Sequence, residues 1–203
     1  MSNKPLHIRR RIALSGVFAV AVAVVALFTA SKWQHRPPFA ETLFAAGCVL
    51  VGIASVGRLW CALYISGYKK QSLITTGPYS VCRNPLYVFS LLGAIGVGLA
   101  TETIMIPLVI GIGFALYYPA IIKSEEVKLR RLHPERYEVY CNTVPRFIPR
   151  VSLLTEPTEY LVNPRIFRKS MIGALWFVWL LGILEIITAL RELGVLPVYW
   201  NSY

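Results

Sequence analysis

Charge is scarce in this chain. Only 15% of its 203 residues are ionisable acids or bases of the Asp, Glu, Lys and Arg types, 56% are apolar, and mean hydropathy is +0.56. A chain so composed has too little polar surface to cover itself in water, which excludes an ordinary soluble enzyme and indicates a polytopic membrane protein. Cysteine and histidine are also few. Cys48, Cys61, Cys82 and Cys141 show no metal-ligand spacing, and none of His7, His35 and His133 lies near a cysteine pair, so no metal centre is expected. Cys82 and Cys141 fall in segments read as cytosolic, where thiols stay reduced. Internal repeats and low-complexity tracts are absent, and the length fits one bundle spanning residues 1–203 without a separate soluble domain.

What is present is apolar sequence in five runs: Ile12–Ala30, Ala40–Ile65, Leu86–Ala100, Ile104–Ile122 and Met171–Leu190. Most approach the ~20 residues needed to cross the hydrocarbon core; the third is the shortest. The fold class expected is therefore all-α, a bundle of about five transmembrane helices with a cytoplasmic helical segment. Acid residues number 10 and basic residues 21, for a net charge of +11. The distribution of that charge decides its meaning. Lys4, Arg9, Arg10 and Arg11 precede the first run, Lys69, Lys70 and Arg83 lie between the second and third, and ten more lie between Lys123 and Lys169. With a cytoplasmic N-terminus all of these share one side, and the other side keeps only Lys32, Arg36 and Arg191. This is the positive-inside pattern, so the basic charge reports topology and a headgroup-facing surface rather than nucleic-acid binding. The expected topology is N-terminus cytoplasmic, C-terminus outside. Arg9–Arg11 before an apolar stretch imitates a secretory signal, but the run is too long for one and further spans follow.

Between the runs, Thr101–Thr103 is short enough to make spans three and four an antiparallel hairpin. Residues 66–85 form a turn-rich link broken at Gly67 and Gly77-Pro78. In residues 123–170 the fourth helix should continue through Leu132, break at His133-Pro134 and resume from about Glu135 to Cys141. That places Tyr137 and Tyr140 on one face. Pro145 and Pro149 then enforce an extended segment. Pro119 is expected to kink the fourth helix.

Two polar blocks abut the ends of apolar runs, where ionisable groups face water, headgroups or a cavity. The first is Gly77-Pro78-Tyr79 with Arg83-Asn84-Pro85-Leu86-Tyr87. Asn84 and Pro85 form a helix-start pattern, N-cap followed by proline. A helix N-terminus beside Arg83 is also suited to an anion. The second is Glu125-Glu126 at the exit of the fourth helix, where neighbouring side chains point about 100° apart. Glu126 is the inward candidate, although an ion pair from Glu126 to Arg130 on the helix surface is the plainer reading. Arg58 has two open readings, a side chain snorkelling to headgroups or a pocket-facing charge. Glu185 is a second intramembrane charge with no partner evident in sequence. Tyr64, Tyr68, Trp176 and Trp179 read as an interfacial belt or as lipid-facing packing.

Taken in order, these blocks resemble the isoprenylcysteine carboxyl methyltransferase and phospholipid methyltransferase family of membrane enzymes. The resemblance runs from about Gly57 to Pro149 and rests on Gly57-Arg58, Gly77-Pro78-Tyr79, Arg83-Asn84-Pro85-Leu86-Tyr87, Glu125-Glu126, Tyr137/Tyr140 and Val144-Pro145…Pro149. It implies an S-adenosylmethionine-dependent methyltransferase acting on a membrane lipid or small amphiphile at the cytoplasmic leaflet. Gly77, Pro78, Tyr79, Arg83, Asn84, Pro85, Tyr87, Glu125, Glu126, Tyr137 and Tyr140 would surround the cofactor, and Glu126, Arg146 and Arg58 would serve the chemistry. Two departures stand out. Asn84 occupies the family's usual histidine position, with N-capping kept, and Thr143 stands where the eukaryotic enzymes carry an arginine, a role open to Arg146. These argue against a prenylated-protein substrate. The fifth span lies beyond the family-like core and points to a specialised member of a bacterial inner membrane. The rival enzyme class is an NADPH-dependent sterol-type reductase, which shares an Arg-His-Pro-x-Tyr block. A lipid-binding protein without activity is the non-enzymatic rival.

Overall fold

The structure, a computed structural model, describes residues 23–25, 28–32, 37–66, 68 and 72–202. Most of the first predicted span, Ile12–Ala30, and the basic residues before it lie outside the described residues, as do Lys69 and Lys70.

The long apolar runs become helices because only a helix satisfies its backbone internally in lipid. Helix α1 is Pro37–Ile65; α2 is the single turn Pro78–Val81; α3 is Pro85–Leu99. Helix α4 is Met105–Leu132, continuous through Pro119, and α5 is Pro134–Thr143. Two further helices, α6 (Pro164–Ala174) and α7 (Trp176–Glu192), follow the extended segment. By length and composition α1, α4 and the α6–α7 pair can each cross a membrane, and α3 is a shorter apolar helix. Leu108, Ile112 and Leu116 on α4, with Ile183 and Ile186 on α7, are exposed apolar side chains, as a lipid-facing surface requires. The chain is an integral membrane helix bundle.

Helix α1 packs mainly on α3. Their crossing is set at Gly47 and Gly96, where each Cα faces the other's carbonyl and an added Cβ would stand 2.6 Å and 2.8 Å from it. Small residues at such a crossing let two backbones touch, which is how helices gain contact where lipid removes the hydrophobic drive. The α3–α4 connection is a tight turn with Glu102 at φ 57°.

Three expectations are corrected. Thr29 and Ala30, placed at the end of a helical span, instead lie in a short strand β1, Thr29–Ser31, paired in parallel with β2, Trp200–Ser202. The predicted fifth span begins earlier, at Pro164, and is interrupted at Leu175. Tyr64 is no belt residue: it is buried, with its ring over Gly77 and against Tyr160 at 4.7 Å.

The pairings sort the molecule into two ends. At one, the Ser31 hydroxyl donates to the Glu102 carbonyl and β2 lies beside β1, near the start of α4. An apolar cavity of about 280 Å³ sits there, lined by Val25, Thr29, Met105, Ile106, Val109, Trp200 and Asn201. At the other end lie α2, the start of α3, the exit of α4, and α5. The polar residues singled out in the sequence gather at this second end.

Candidate functional site

Three segments far apart in sequence converge at the second end. Pro85 can begin α3 because an N–H at the first helical position would have no carbonyl within the helix to bond, so proline's lack of one costs nothing. Its neighbour Asn84 does not cap the helix with its side chain, contrary to expectation. The Asn84 amide instead donates to Glu126 Oε1 (3.2 Å) and to the Arg146 carbonyl (3.1 Å), while its backbone carbonyl accepts from the Tyr87 and Val88 N–H groups. Helix α4 carries Glu126 to this point. Pro145 and Pro149 keep the following segment extended, and it brings Arg146 across the top.

Glu126 is the centre of the cluster. Arg146 approaches it side-on with two contacts, Nε to Oε1 at 3.2 Å and Nη2 to Oε2 at 3.1 Å. Arg83 Nη1 stands 3.7 Å from Oε1 and donates to the Cys141 sulfur at 2.8 Å. Side chains of Arg83 and Glu126 are 16% and 18% exposed, whereas Arg146 is 45% exposed. The first pair is thus shielded and the second half-open to water. Burial alone lowers the pKa of Arg83, but the Cys141 sulfur and the Glu126 carboxylate more than offset this and hold it above its ordinary range. Two guanidiniums share one carboxylate, so the cluster retains a net positive charge. Arg83 Nε is buried with no hydrogen-bond partner among the described residues. A buried donor without an acceptor is a costly group, and an incoming anion would satisfy it.

The surroundings are built from buried groups. Tyr137, Tyr140, Val144 and Leu73 form a core cluster beneath the cations. The Tyr140 hydroxyl donates to the Tyr79 carbonyl at 2.6 Å, tying α5 to α2. Burial pushes the phenols of Tyr137 and Tyr140 well above the usual tyrosine range, so both stay neutral donors. Cys82 is fully buried, and its sulfur faces the Arg146 and Phe147 carbonyls and the Asn84 N–H at 3.2–3.5 Å. Burial raises this thiol too, which leaves it a weak donor to the extended segment rather than a nucleophile. Gly77 holds φ 61° and ψ −134°, a conformation for residues lacking a Cβ, and an added Cβ would meet the Tyr64 ring at 2.3 Å. Its N–H donates to Thr155 (2.8 Å), the Arg83 N–H to Pro145 (2.9 Å) and the Arg150 N–H to Val81 (3.0 Å), so residues 145–155 are stitched onto the α2 turn. Beside the cluster runs an aromatic wall: Tyr87 edge-on to Tyr118 (5.4 Å), Tyr118 stacked on Phe114 (3.8 Å), and Phe147 6.2 Å from Phe114.

The structure brings together Arg83, Asn84, Glu126 and Arg146, with Tyr137, Tyr140, Pro78 and Tyr79 as their support and Pro85 and Tyr87 at the helix start. It does not bring in Glu125, which is exposed, in keeping with the 100° separation from Glu126. Arg130 pairs with Glu138 at 3.6 Å, so the surface pair from Glu126 to Arg130 is not formed. Arg58 is held inside the bundle and is not bonded to Glu126, Arg83 or Arg146. It is bonded to the Ser90 hydroxyl and to the Gly173 carbonyl (3.1 Å), with the Phe177 ring 5.5 Å away, and so ties α1 to α3, α6 and α7. Cys82, Cys141, Phe114, Tyr118 and Phe147 escaped the sequence reading. Their contacts span up to 65 residues, and only the helix-spaced aromatic pair Phe114/Tyr118 carried a local signal.

The sequence profile of the phospholipid methyltransferase family matches residues 39–136, a span that holds Arg83, Asn84 and Glu126 and ends before Tyr137, Tyr140, Cys141 and Arg146. The nickel-cobalt-cadmium resistance protein NccN of Alcaligenes xylosoxydans xylosoxydans is 39% identical over 191 residues, covering 94% of this chain and 89% of its own. The cobalt-zinc-cadmium resistance protein CzcN of Cupriavidus metallidurans is 39% identical over 188 residues, covering 93% and 86%. No solved structure matches.

Proposed function

The chain belongs to the phospholipid methyltransferase family, and on that premise we propose that it moves a methyl group from S-adenosylmethionine to a lipidic or amphiphilic acceptor at the cytoplasmic leaflet. The observation that carries this reading is the convergence of Arg83, Asn84, Glu126 and Arg146 at one helix end beside an aromatic wall.

The residues fit the cofactor. Its carboxylate matches the uncompensated guanidinium charge and the orphaned Arg83 Nε. Its ammonium or sulfonium matches the Glu126 carboxylate, and the faces of Tyr87, Tyr118 and Phe147 suit an adenine ring or a sulfonium. When bound, S-adenosylmethionine supplies an electrophilic methyl group. The protein's part is to hold donor and acceptor in line and keep water out. Arg146, half-exposed and paired to Glu126 only from above, is the residue placed to exchange that carboxylate for an anionic group on the acceptor. A carboxylate or phosphate acceptor needs no base; for an amine or thiol, Glu126 is the proton acceptor.

The test is a labelled-methyl transfer assay with purified protein, S-adenosylmethionine and membrane extracts of cells grown with and without nickel, cobalt, zinc or cadmium, the ions named for the two relatives. Label appearing in an extractable amphiphile supports the proposal. Stabilisation by NADPH and none by S-adenosylmethionine would replace it with the reductase reading.

A further inference from the structure

Helix α6 is fastened to α1 at both ends. The Asn163 N–H donates to the Ser66 carbonyl (3.5 Å), and ten residues later the Gly173 carbonyl accepts from Arg58 (3.1 Å). It therefore runs antiparallel to the last turns of α1, with its first turns at the level of the site end and α7 continuing into the apolar layer. The Asn163 side chain caps α6, accepting from the Arg165 and Ile166 N–H groups.

The face of α6 and α7 turned away from the bundle has a graded chemistry. Arg165, Arg168 and Lys169 are exposed, and none of the ion pairs among the described residues involves them. At 100° per residue, positions 165, 168, 169 and 172 of α6 fall within an arc of about 100°, and Trp176 and Trp179 stand one turn apart on α7 just beyond Leu175. The three cations come first, then Ile172, Trp176 and Trp179, exposed by 70%, 56% and 66%. The two helical stretches from 165 to 179 together amount to roughly 20 Å of rise, enough for a headgroup and most of one leaflet's acyl depth. No acidic residue occurs between Glu159 and Glu185 to balance the stripe.

We propose that this stripe is a binding site for a phospholipid of net negative headgroup charge, its phosphate held by Arg165, Arg168 and Lys169 and its acyl chain laid along Ile172, Trp176 and Trp179. The site lies beyond residues 39–136 and apart from the Glu126 cluster, so it stands independently of the methyl-transfer proposal. Charge complementarity selects the occupant. A zwitterionic lipid presents the same chains with a balancing cation, and a free phosphate lacks the chains that the tryptophans meet.

The experiment uses the full chain in neutral detergent with brominated-chain phosphatidylglycerol or brominated-chain phosphatidylcholine, reading tryptophan quenching. Quenching by phosphatidylglycerol is expected at a concentration on the order of a hundredfold lower, each cation near the surface contributing roughly fivefold. The preference should shrink with added salt. The R165Q/R168Q/K169Q variant should lose it, and W176F/W179F should lose the phosphatidylglycerol-selective quenching, leaving only that of the other three tryptophans. Glycerol 3-phosphate, which has the headgroup charge and no chains, should not compete at lipid concentrations. Equal quenching of the wild-type chain by the two lipids overturns the proposal without recourse to any variant. A triple variant that keeps the preference overturns the assignment to these three cations.

Discussion

Replacing Glu126 by glutamine removes the one negative charge that holds two guanidiniums together. The substitution keeps shape and one acceptor oxygen, so the Asn84 amide can still donate to it. What is lost is the shielded attraction to Arg83 and the two-point contact with Arg146, and the guanidiniums are left facing each other. Removing one partner of a buried pair costs roughly 3–5 kcal/mol. Here Arg146 is 45% exposed and can turn to water, so its share falls to the surface scale of about 1 kcal/mol or less. Arg83 cannot turn away, because its backbone N–H is bonded to Pro145 and its side chain to Cys141. A net loss of about 2 kcal/mol follows, which for a chain of this size is a drop in Tm of roughly 4–8 °C. The assay is thermal unfolding in neutral detergent for E126Q, R146Q and the double variant. Because R146Q relieves the repulsion that E126Q creates, the double variant should be less destabilised than the sum, with a coupling of about 0.5–1.5 kcal/mol. A Tm for E126Q within a degree of wild type, or strictly additive variants, would show that the cluster is not an energetic unit. Methyl transfer by E126Q should fall by roughly 10²-fold or more, while E125Q, altering an exposed group, should be mild.

S-adenosylmethionine should raise the Tm of the purified protein and NADPH should not, and R83A should lose most of that shift; a full shift in R83A would leave Arg83 outside the donor site. G77A should be destabilised by about 1–3 kcal/mol from the positive φ alone, before the clash with Tyr64, and a neutral G77A in chemical unfolding would contradict the turn described here. The raised pKa of Tyr140 means that the fold favours the neutral phenol. Its contribution is therefore whole below the ordinary tyrosine value near 10 and is lost as pH climbs above it; Y140F should melt lower at pH 7 and decline less steeply between pH 9 and 11, and parallel curves would refute the assignment. A C-terminal phosphatase fusion should be active and a fluorescent-protein fusion dark in a bacterial host, and the reverse would move the C-terminus to the cytoplasmic side.

Much of this architecture could be read from local pattern. The apolar runs of α1, α3 and α4 needed only length, the proline at 85 marked the start of α3, and the 100° step between Glu125 and Glu126 separated an inward from an outward carboxylate. The misreadings arose where a distant group outcompeted a local one. Asn84 has the identity of an N-cap, but a carboxylate 42 residues away is a stronger acceptor partner for its amide than its own helix is for its carbonyl oxygen. Arg130 had Glu126 one turn away, yet two arginines from other segments claim that carboxylate and Arg130 turns to Glu138. Arg58 meets a carbonyl 115 residues later, a pairing set by how α6 docks and by nothing near position 58. Helical periodicity carries no information about such choices.

The stitching of residues 145–155 onto the α2 turn has a consequence for biosynthesis. Arg83, Asn84 and Glu126 leave the ribosome before Arg146 does. The backbone donors of Gly77 and Arg83 likewise wait for Thr155 and Pro145. At about 5–20 residues per second, Glu126 precedes Arg146 by roughly one to four seconds, during which α1, α3 and α4 can insert and pack while the charged end stays open to water. The cluster is therefore completed only when residues 145–155, which lie outside the apolar helices, fold onto the α2 turn. A chain truncated after Val144 should insert and pack its helices around Gly47 and Gly96 yet be born without a closed site.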